Sequence, residues 1–281
     1  MATAIRPAAP IKLASPLSKI GAIFKRDARV ALSYPANFAL NWVAILVEVV
    51  VYWYISRIAP HGMNFSPGGR TMSYFEYVAI NGGILRFQTA ALYSFAEAIR
   101  DAQLTGTLEM VMATPTRMPT LVLSSGLWSF TLTSIQTVVY FGIAMLFGLD
   151  LSHVNPLTAL VFLLLTVAAV SPLGVLAAAL AMVIKKTGPI DLLSNSSAQI
   201  FGGFFLPLAR LPLALQIIGW LIPITHAMNG FRSAVSGLSL YEARGDAVWL
   251  LCASIVLMPF SLWLFTRAVQ KARVDGTLAM Y

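Results

Sequence analysis

Charge and thiols are what this chain has least of. Asp, Glu, Lys and Arg make up 11% of its 281 residues, where a soluble domain carries about 25%. With an apolar fraction of 58% and a mean hydropathy of +0.78, that scarcity excludes an ordinary water-soluble fold and calls for lipid as the solvent. Cys252 is the single cysteine, which rules out an intrachain disulfide and any cysteine-rich metal site and suits a small apolar side chain inside a helix. The three histidines, His61, His153 and His226, are scattered, so a metal centre made from them would need folding to gather them. No Gly-x4-Gly-Lys-Ser/Thr loop, His-Glu-x-x-His, Gly-x-Ser-x-Gly or Cys-x-x-Cys occurs. The chain is therefore expected to bind no cofactor of its own, and any nucleotide hydrolysis must come from another protein.

What the chain does have is long apolar runs. They predict crossings at roughly 37–57, 75–95, 119–147, 157–184, 190–207 and 247–266, each near the ~20 residues that span a bilayer. The third and fourth runs are long enough to tilt or project. Of the 19 Lys and Arg, thirteen flank the ends shared with the two termini and five lie opposite, with Arg86 inside a span. Basic residues accumulate on the cytoplasmic side, so both termini are expected in the cytoplasm, and the net charge of +8 reflects topology rather than nucleic-acid binding.

The first 35 residues hold no apolar core followed by a small-residue cleavage site, so no cleavable leader is expected there. Residues 1–14 read as an Ala- and Pro-rich tail. Ser15-Pro16 then offers a helix cap with proline at the first position. Leu17, Ile20, Ile23, Phe24 and Ala31 favour one face and Lys19, Lys25, Arg26 and Arg29 another, and Pro35 is expected to end the helix. Such a helix lies in an anionic lipid interface or docks on a partner, and the two are compatible. The organisation expected is a tail and interfacial helix over 1–35 and a membrane domain over 36–281.

Two further segments are too short to cross. Gly106 to Pro115 is amphipathic: Thr107 can cap it, Glu109 favours the positive end of the helix dipole, Leu108, Val111 and Met112 share a face, and Pro115 stops it at Thr114. Between Pro207 and Asp246, Pro212 and Pro223 divide an apolar stretch into pieces that fit two short re-entrant helices, whose irregular joints need cover from protein or water.

Taken in order, these elements resemble the membrane subunit of type-2 ABC exporters. The likeness rests on Gly106-Thr107-Leu108-Glu109 to Thr114-Pro115; on Ser171-Pro172-Leu173-Gly174 with the small residues Ala177 to Ala181; and on Phe204-Phe205-Leu206-Pro207, Leu211-Pro212, Pro223-Ile224-Thr225-His226 and Gly230-Phe231-Arg232. It covers nearly the whole chain. The fold it implies is all-α: six transmembrane helices, the cytoplasmic interfacial helix, a cytoplasmic coupling helix between spans two and three, and short re-entrant helices between spans five and six. The resemblance implies that Leu108, Glu109, Val111 and Met112 meet an ABC-type ATPase subunit, present in two copies, which binds ATP and Mg. It also implies a second copy of this permease or a close relative, and a bacterial inner-membrane location among lipids. The outer gate would fall on Gly202, Gly203, Pro207, Pro223 and His226.

Glu48 and Arg86 sit deep in the first and second crossings, where an isolated charge costs at least ~2.5–3.5 kcal/mol. Each lies one residue past the centre of its crossing, so in antiparallel spans their depths differ by only about 3 Å at ~1.5 Å rise per residue. They are expected to pair or to face a hydrated cavity. Asn81 and Gln88 in the second crossing, Gln136 in the third, and Asn195 and Gln199 in the fifth are the other buried polar residues. They serve either as interhelical hydrogen-bonding groups or as the lining of a translocation path. Three functions remain open: a permease moved by a partner's ATP hydrolysis, a proton-coupled secondary transporter using Glu48, and a membrane-embedded lipid-modifying enzyme. The lack of a convergent catalytic set weighs against the last. The cargo classes compatible with an apolar path are drug-like, lipid and lipid-linked glycan.

Overall fold

The computed structural model describes residues 16–58, 65, 70–104, 118–184, 196 and 198–274. Among these the regular structure is helical: α1 (Pro16–Leu32), α2 (Pro35–Ile58), α3 (Tyr74–Leu104), α4 (Met118–Leu146), α5 (Pro156–Ile184), a 3-10 turn at Leu208–Arg210, α6 (Leu213–Leu221), α7 (Pro223–Val235) and α8 (Arg244–Val274). Four of them, α2, α4, α5 and α8, are long and apolar enough to cross a membrane. The first, fourth and sixth expected crossings fall within α2, α5 and α8, and the third coincides with α4 except for its last residue, Phe147.

The second expected crossing lies within α3, a 31-residue helix about 46 Å long at ~1.5 Å per residue. Glu76, Asn81, Arg86 and Gln88 lower its hydropathy. They are tolerated because α3 runs through the centre, packed against α5, α4, α7 and α2, with almost every residue from Phe75 to Gln88 buried. The fifth expected crossing, 190–207, differs from the observed chain. Helix is present at 198–201, and residues 202–206 turn and bend. Gly203 has φ +75°, a left-handed conformation that glycine adopts without strain, and it stops the helix there. Residues 190–195 lie outside the described residues, as does the amphipathic segment 106–115.

Pro35 does not merely end α1. The break is only Ser33-Tyr34, and Pro35 opens α2, since its fixed φ and missing N–H suit the first helical position. Along α1, Phe24, Asp27, Ala28 and Ala31 are half-buried while Lys25, Arg26 and Arg29 are exposed. Phe24 meets Trp128 of α4 edge-on, with ring centroids 5.4 Å apart. Part of the apolar face thus packs on α4 rather than standing free for lipid.

The helix ends carry ordinary stop and start chemistry. Asn155 caps α5, its Oδ1 accepting from Thr158 N at 3.2 Å, with Pro156 at the first position. Glycines close α4 and α7. Gly148 and Gly237 have φ +105° and +85°. Leu149 N donates to Ala144 O and Leu238 N to Ser233 O, both at 3.0 Å, which satisfies carbonyls a helix end would otherwise strand. In α5, Gly174 faces Ala91 of α3 so closely that a Cβ would lie 2.2 Å from the Ala91 carbonyl oxygen. The buried small residues Ala177, Ala178, Ala179 and Ala181 continue that close helix–helix packing.

Candidate functional site

Among the described residues, polar groups gather at several places around α3 and α7. The first centres on Glu48 and Arg86. Arg86 Nη2 donates to Glu48 Oε2, Tyr52 Oη donates to Glu48 Oε1 at 3.1 Å, and the Arg86 guanidinium lies 4.8 Å from the centroid of the Tyr140 ring. Tyr140 Oη in turn donates to Ala79 O at 2.9 Å. Helix periodicity explains why Tyr52 meets Glu48: they are one turn apart on α2. Gly82 on α3 leaves the room, since a Cβ there would stand 2.7 Å from Tyr140 Oη and 2.8 Å from Tyr52 Cε2. Beside the pair opens a cleft of about 470 Å³, walled by α2, α3, α4 and Gln199, with Gln136, Thr133, Tyr93 and Thr89 completing its polar lining.

The second cluster surrounds Arg232 of α7, 6% exposed. Its Nη1 donates to Asn81 Oδ1 at 3.1 Å, its Nη2 to Asn229 Oδ1, and its guanidinium lies over the Tyr77 ring at 4.6 Å. Among the described residues no carboxylate lies within ion-pairing distance of it. Amide dipoles and an aromatic face thus hold this cation in place of a counter-ion. Asn81 Nδ2 donates to Phe204 O at 2.8 Å and Tyr77 Oη to Gly203 O at 2.6 Å. The turn at 202–204 is therefore pinned to α3 and, through Asn81, to α7.

The third is a corner made by α6, α7 and α8. His226 Nδ1 lies 2.6 Å from Asp246 Oδ1 and Nε2 lies 2.9 Å from Trp220 O, while the ring stacks on Trp249 at 4.2 Å. Both ring nitrogens of His226 thus face oxygen atoms, one on α8 and one at the end of α6. At the other end of α7, Arg70 joins three segments by donating to Asp150 Oδ2 at 2.6 Å and Val235 O at 3.1 Å, with Glu76 Oε1 at 3.6 Å. The Asp150 carboxyl is held below the ordinary carboxylate range, first by the Ser152 hydroxyl and backbone N–H and then by Arg70.

The residues singled out from the sequence are distributed among these sites. Glu48, Arg86, Gln136 and Gln199 come together at the cleft. Asn81 is fully buried and belongs to the Arg232 network, and Gln88 is buried without lining the cleft. Gly202 and Gly203 form the turn after 198–201, Pro207 precedes the 3-10 turn, Pro223 is the first residue of α7, and His226 stands in the corner with α8. Asn195 and the set Gly106, Thr107, Leu108, Glu109, Val111, Met112, Thr114 and Pro115 lie outside the described residues. Sequence reasoning missed Arg232 and Asp246. For Arg232 the usable signal is its position three residues after Asn229 in a short apolar helix. Tyr52 and Tyr140 were also missed as polar partners, since an aromatic in an apolar run reads as belt or core.

Comparison with known proteins adds the identity. Among curated proteins none matches the chain. The family model of the ABC-2 type transporter matches residues 18–235, a stretch that runs from α1 through the end of α7 and includes all the polar clusters except Asp246 and Trp249. The family works with an ABC ATPase partner and its members are transport components rather than catalysts. With four apolar helices long enough to cross a membrane, the chain is a multi-pass membrane permease that belongs to the ABC-2 type transporter family.

Proposed function

We propose that this permease moves an amphiphilic cargo outward, with ATP and Mg bound and hydrolysed on two copies of a separate ATPase subunit. The family match over residues 18–235 carries the reading. A polar, charge-bearing cleft within otherwise apolar helices supports it, because such groups are retained in a membrane at a cost and mark transport paths. The path runs at the seam between two copies of the chain, or one copy and a close relative. The basic-residue bias of thirteen against five supports a topology with both termini in the cytoplasm, and the membrane proposed is a bacterial inner membrane. The crossings number six, α3 and a helix ending at residue 201 adding to the four apolar ones, with α1 at the cytoplasmic interface and α6 and α7 entering from outside. Residues 106–115 form the coupling helix. Closure of the ATPase pair pushes the two coupling helices together, and the two membrane subunits, bistable at their seam, rock outward. Turns around Gly202, Gly203, Pro207, Pro223 and His226 act as the outer gate.

The decisive experiment is co-expression with an ABC-type ATPase subunit, followed by reconstitution into vesicles. Cargo transport should require ATP, and Leu108→Arg should abolish both copurification of the ATPase and transport while leaving the permease folded. Transport by the chain alone under a proton gradient would overturn the reading in favour of a secondary transporter using Glu48.

A further inference from the structure

On the permease reading above, we propose that the cleft beside Glu48 and Arg86 receives the uncharged, hydroxyl-rich headgroup of the cargo. At about 470 Å³ the cleft falls within the ~300–1,000 Å³ of small-molecule sites. Its wall contains two charged residues, Glu48 and Arg86, and these are bonded to each other. An ammonium group entering here meets a carboxylate that already accepts from Arg86 and Tyr52. A phosphate meets a guanidinium that already holds Glu48 and lies over Tyr140. Either ligand would have to displace a partner from a pair that is only partly exposed, 16% for the Arg86 side chain and 29% for Glu48, and would leave the displaced charge without its partner, which is unfavourable.

Among the described residues the rest of the polar wall is neutral. The amides of Gln136 and Gln199 and the hydroxyl of Thr133 each donate and accept, as the hydroxyls of a sugar or polyol also do. Tyr52 and Tyr93 add ring surface on the same wall, against which the apolar C–H face of a sugar ring can lie. Beyond the cleft, α2 presents exposed Val43, Leu46, Val47 and Val50. That apolar surface suits the tail of an amphiphile whose head is in the cleft. Head and tail are thus sorted by two adjoining surfaces of one helix.

The test uses the full chain in lipid nanodiscs without nucleotide, titrated below micellar concentrations with three dodecyl amphiphiles that differ in headgroup: maltoside, trimethylammonium and phosphate. The maltoside should bind saturably and the two charged probes about tenfold more weakly or less. Gln136→Ala should weaken maltoside binding about tenfold, the loss of one or two hydrogen bonds. Glu48→Gln should shift preference toward the phosphate and Arg86→Gln toward trimethylammonium. Should either of those variants fail to fold, the Gln136→Ala comparison and the wild-type ranking still decide the matter. Preference of the wild-type chain for either charged probe overturns the proposal, as does maltoside binding that is unsaturable or unmoved by Gln136→Ala. Because no ATPase takes part, a failed coupling experiment leaves this result standing. Conversely, a charged-probe preference removes the headgroup assignment without touching the permease reading.

Discussion

Gly82 shows how one missing side chain can hold a polar site together. Its Cα faces the Tyr140 hydroxyl and the Tyr52 ring, and both aromatics contact the Glu48–Arg86 pair. Gly82→Ala should destabilise the protein by about 1–3 kcal/mol, as overpacking of a close-fitted interior does. It should also loosen the ion pair, because one of the atoms that must yield is Tyr140 Oη. Removing that oxygen relieves part of the clash, so Gly82→Ala with Tyr140→Phe should be less destabilised than the sum of the two single changes. Thermal unfolding in detergent measures this, and strictly additive losses would refute the contact as the cause. Arg232 illustrates the opposite case, a buried cation with no carboxylate within ion-pairing distance among the described residues. Its fixed fork of donors reaches two amide oxygens at once, an arrangement a lysine cannot reproduce.

At the level of elements, short segments are held by their ends. At the α6–α7 junction Ile222 N donates to Gly219 O at 3.2 Å and Ile222 O accepts from Thr225 N at 3.1 Å, and His226 ties the last turn of α6 to the first turn of α8. His226→Phe preserves the stack on Trp249 but loses both hydrogen bonds, and Asp246→Asn weakens one of them. The two changes should be sub-additive, with the double variant losing about 1–3 kcal/mol less than the sum if the pair acts as a unit. Chemical denaturation or melting of the four proteins of the cycle checks it, and independent losses would mean that the ring serves only by packing.

The α3 entrance behaves similarly. Glu76 Oε2 accepts from Ser73 N at 2.7 Å and Ser73 Oγ from Glu76 N at 3.2 Å, a reciprocal cap joined to the α4–α5 loop by Arg70 and Asp150. The Asp150 carboxyl titrates below its ordinary value of 3.8. A depressed value stabilises the folded form above the unfolded pKa, and that contribution disappears as pH falls through the folded one. Amide protection factors around residues 70–73, corrected for the intrinsic pH dependence of exchange, should therefore fall below about pH 4, and Asp150→Asn should remove that step while lowering protection at neutral pH.

Across the whole molecule, burial is uneven. In the apolar window of α2 only 11% of the residues are buried, against 44% in that of α5. An outer helix that is apolar on its exposed side meets either lipid or another protein in the membrane. The seam proposed between two copies uses that side. Cys252 being the one native thiol, Val47→Cys in a Cys252→Ser background gives a single reporter on the exposed face of α2. Oxidation in native membranes should yield a disulfide-linked dimer, whereas Leu160→Cys on α5, equally exposed at 53% against 54%, should not. Cross-linking from α5 in preference to α2 would move the seam.

What the amino-acid order determined by itself is what depends on neighbours along the chain. Hydropathy located α2, α4, α5 and α8, because crossing length and apolar content are local properties. Counting depth along antiparallel crossings was enough to set Glu48 opposite Arg86, since helical rise is fixed at about 1.5 Å per residue. The order of short motifs indicated the family. Tertiary structure alone decided which polar groups share a site, since the partners lie far apart in the chain: Asn81 and Arg232 are 151 residues from one another, Tyr77 and Gly203 126. It also moved the end of the helix before Gly202 inward from residue 207, and turned Pro35 from a stop into a start. Hydropathy treats residues 202–207 as apolar and hence as membrane helix. Backbone conformation at Gly203, with Tyr77 and Asn81 waiting to bind the released carbonyls, makes a turn the better-satisfied state.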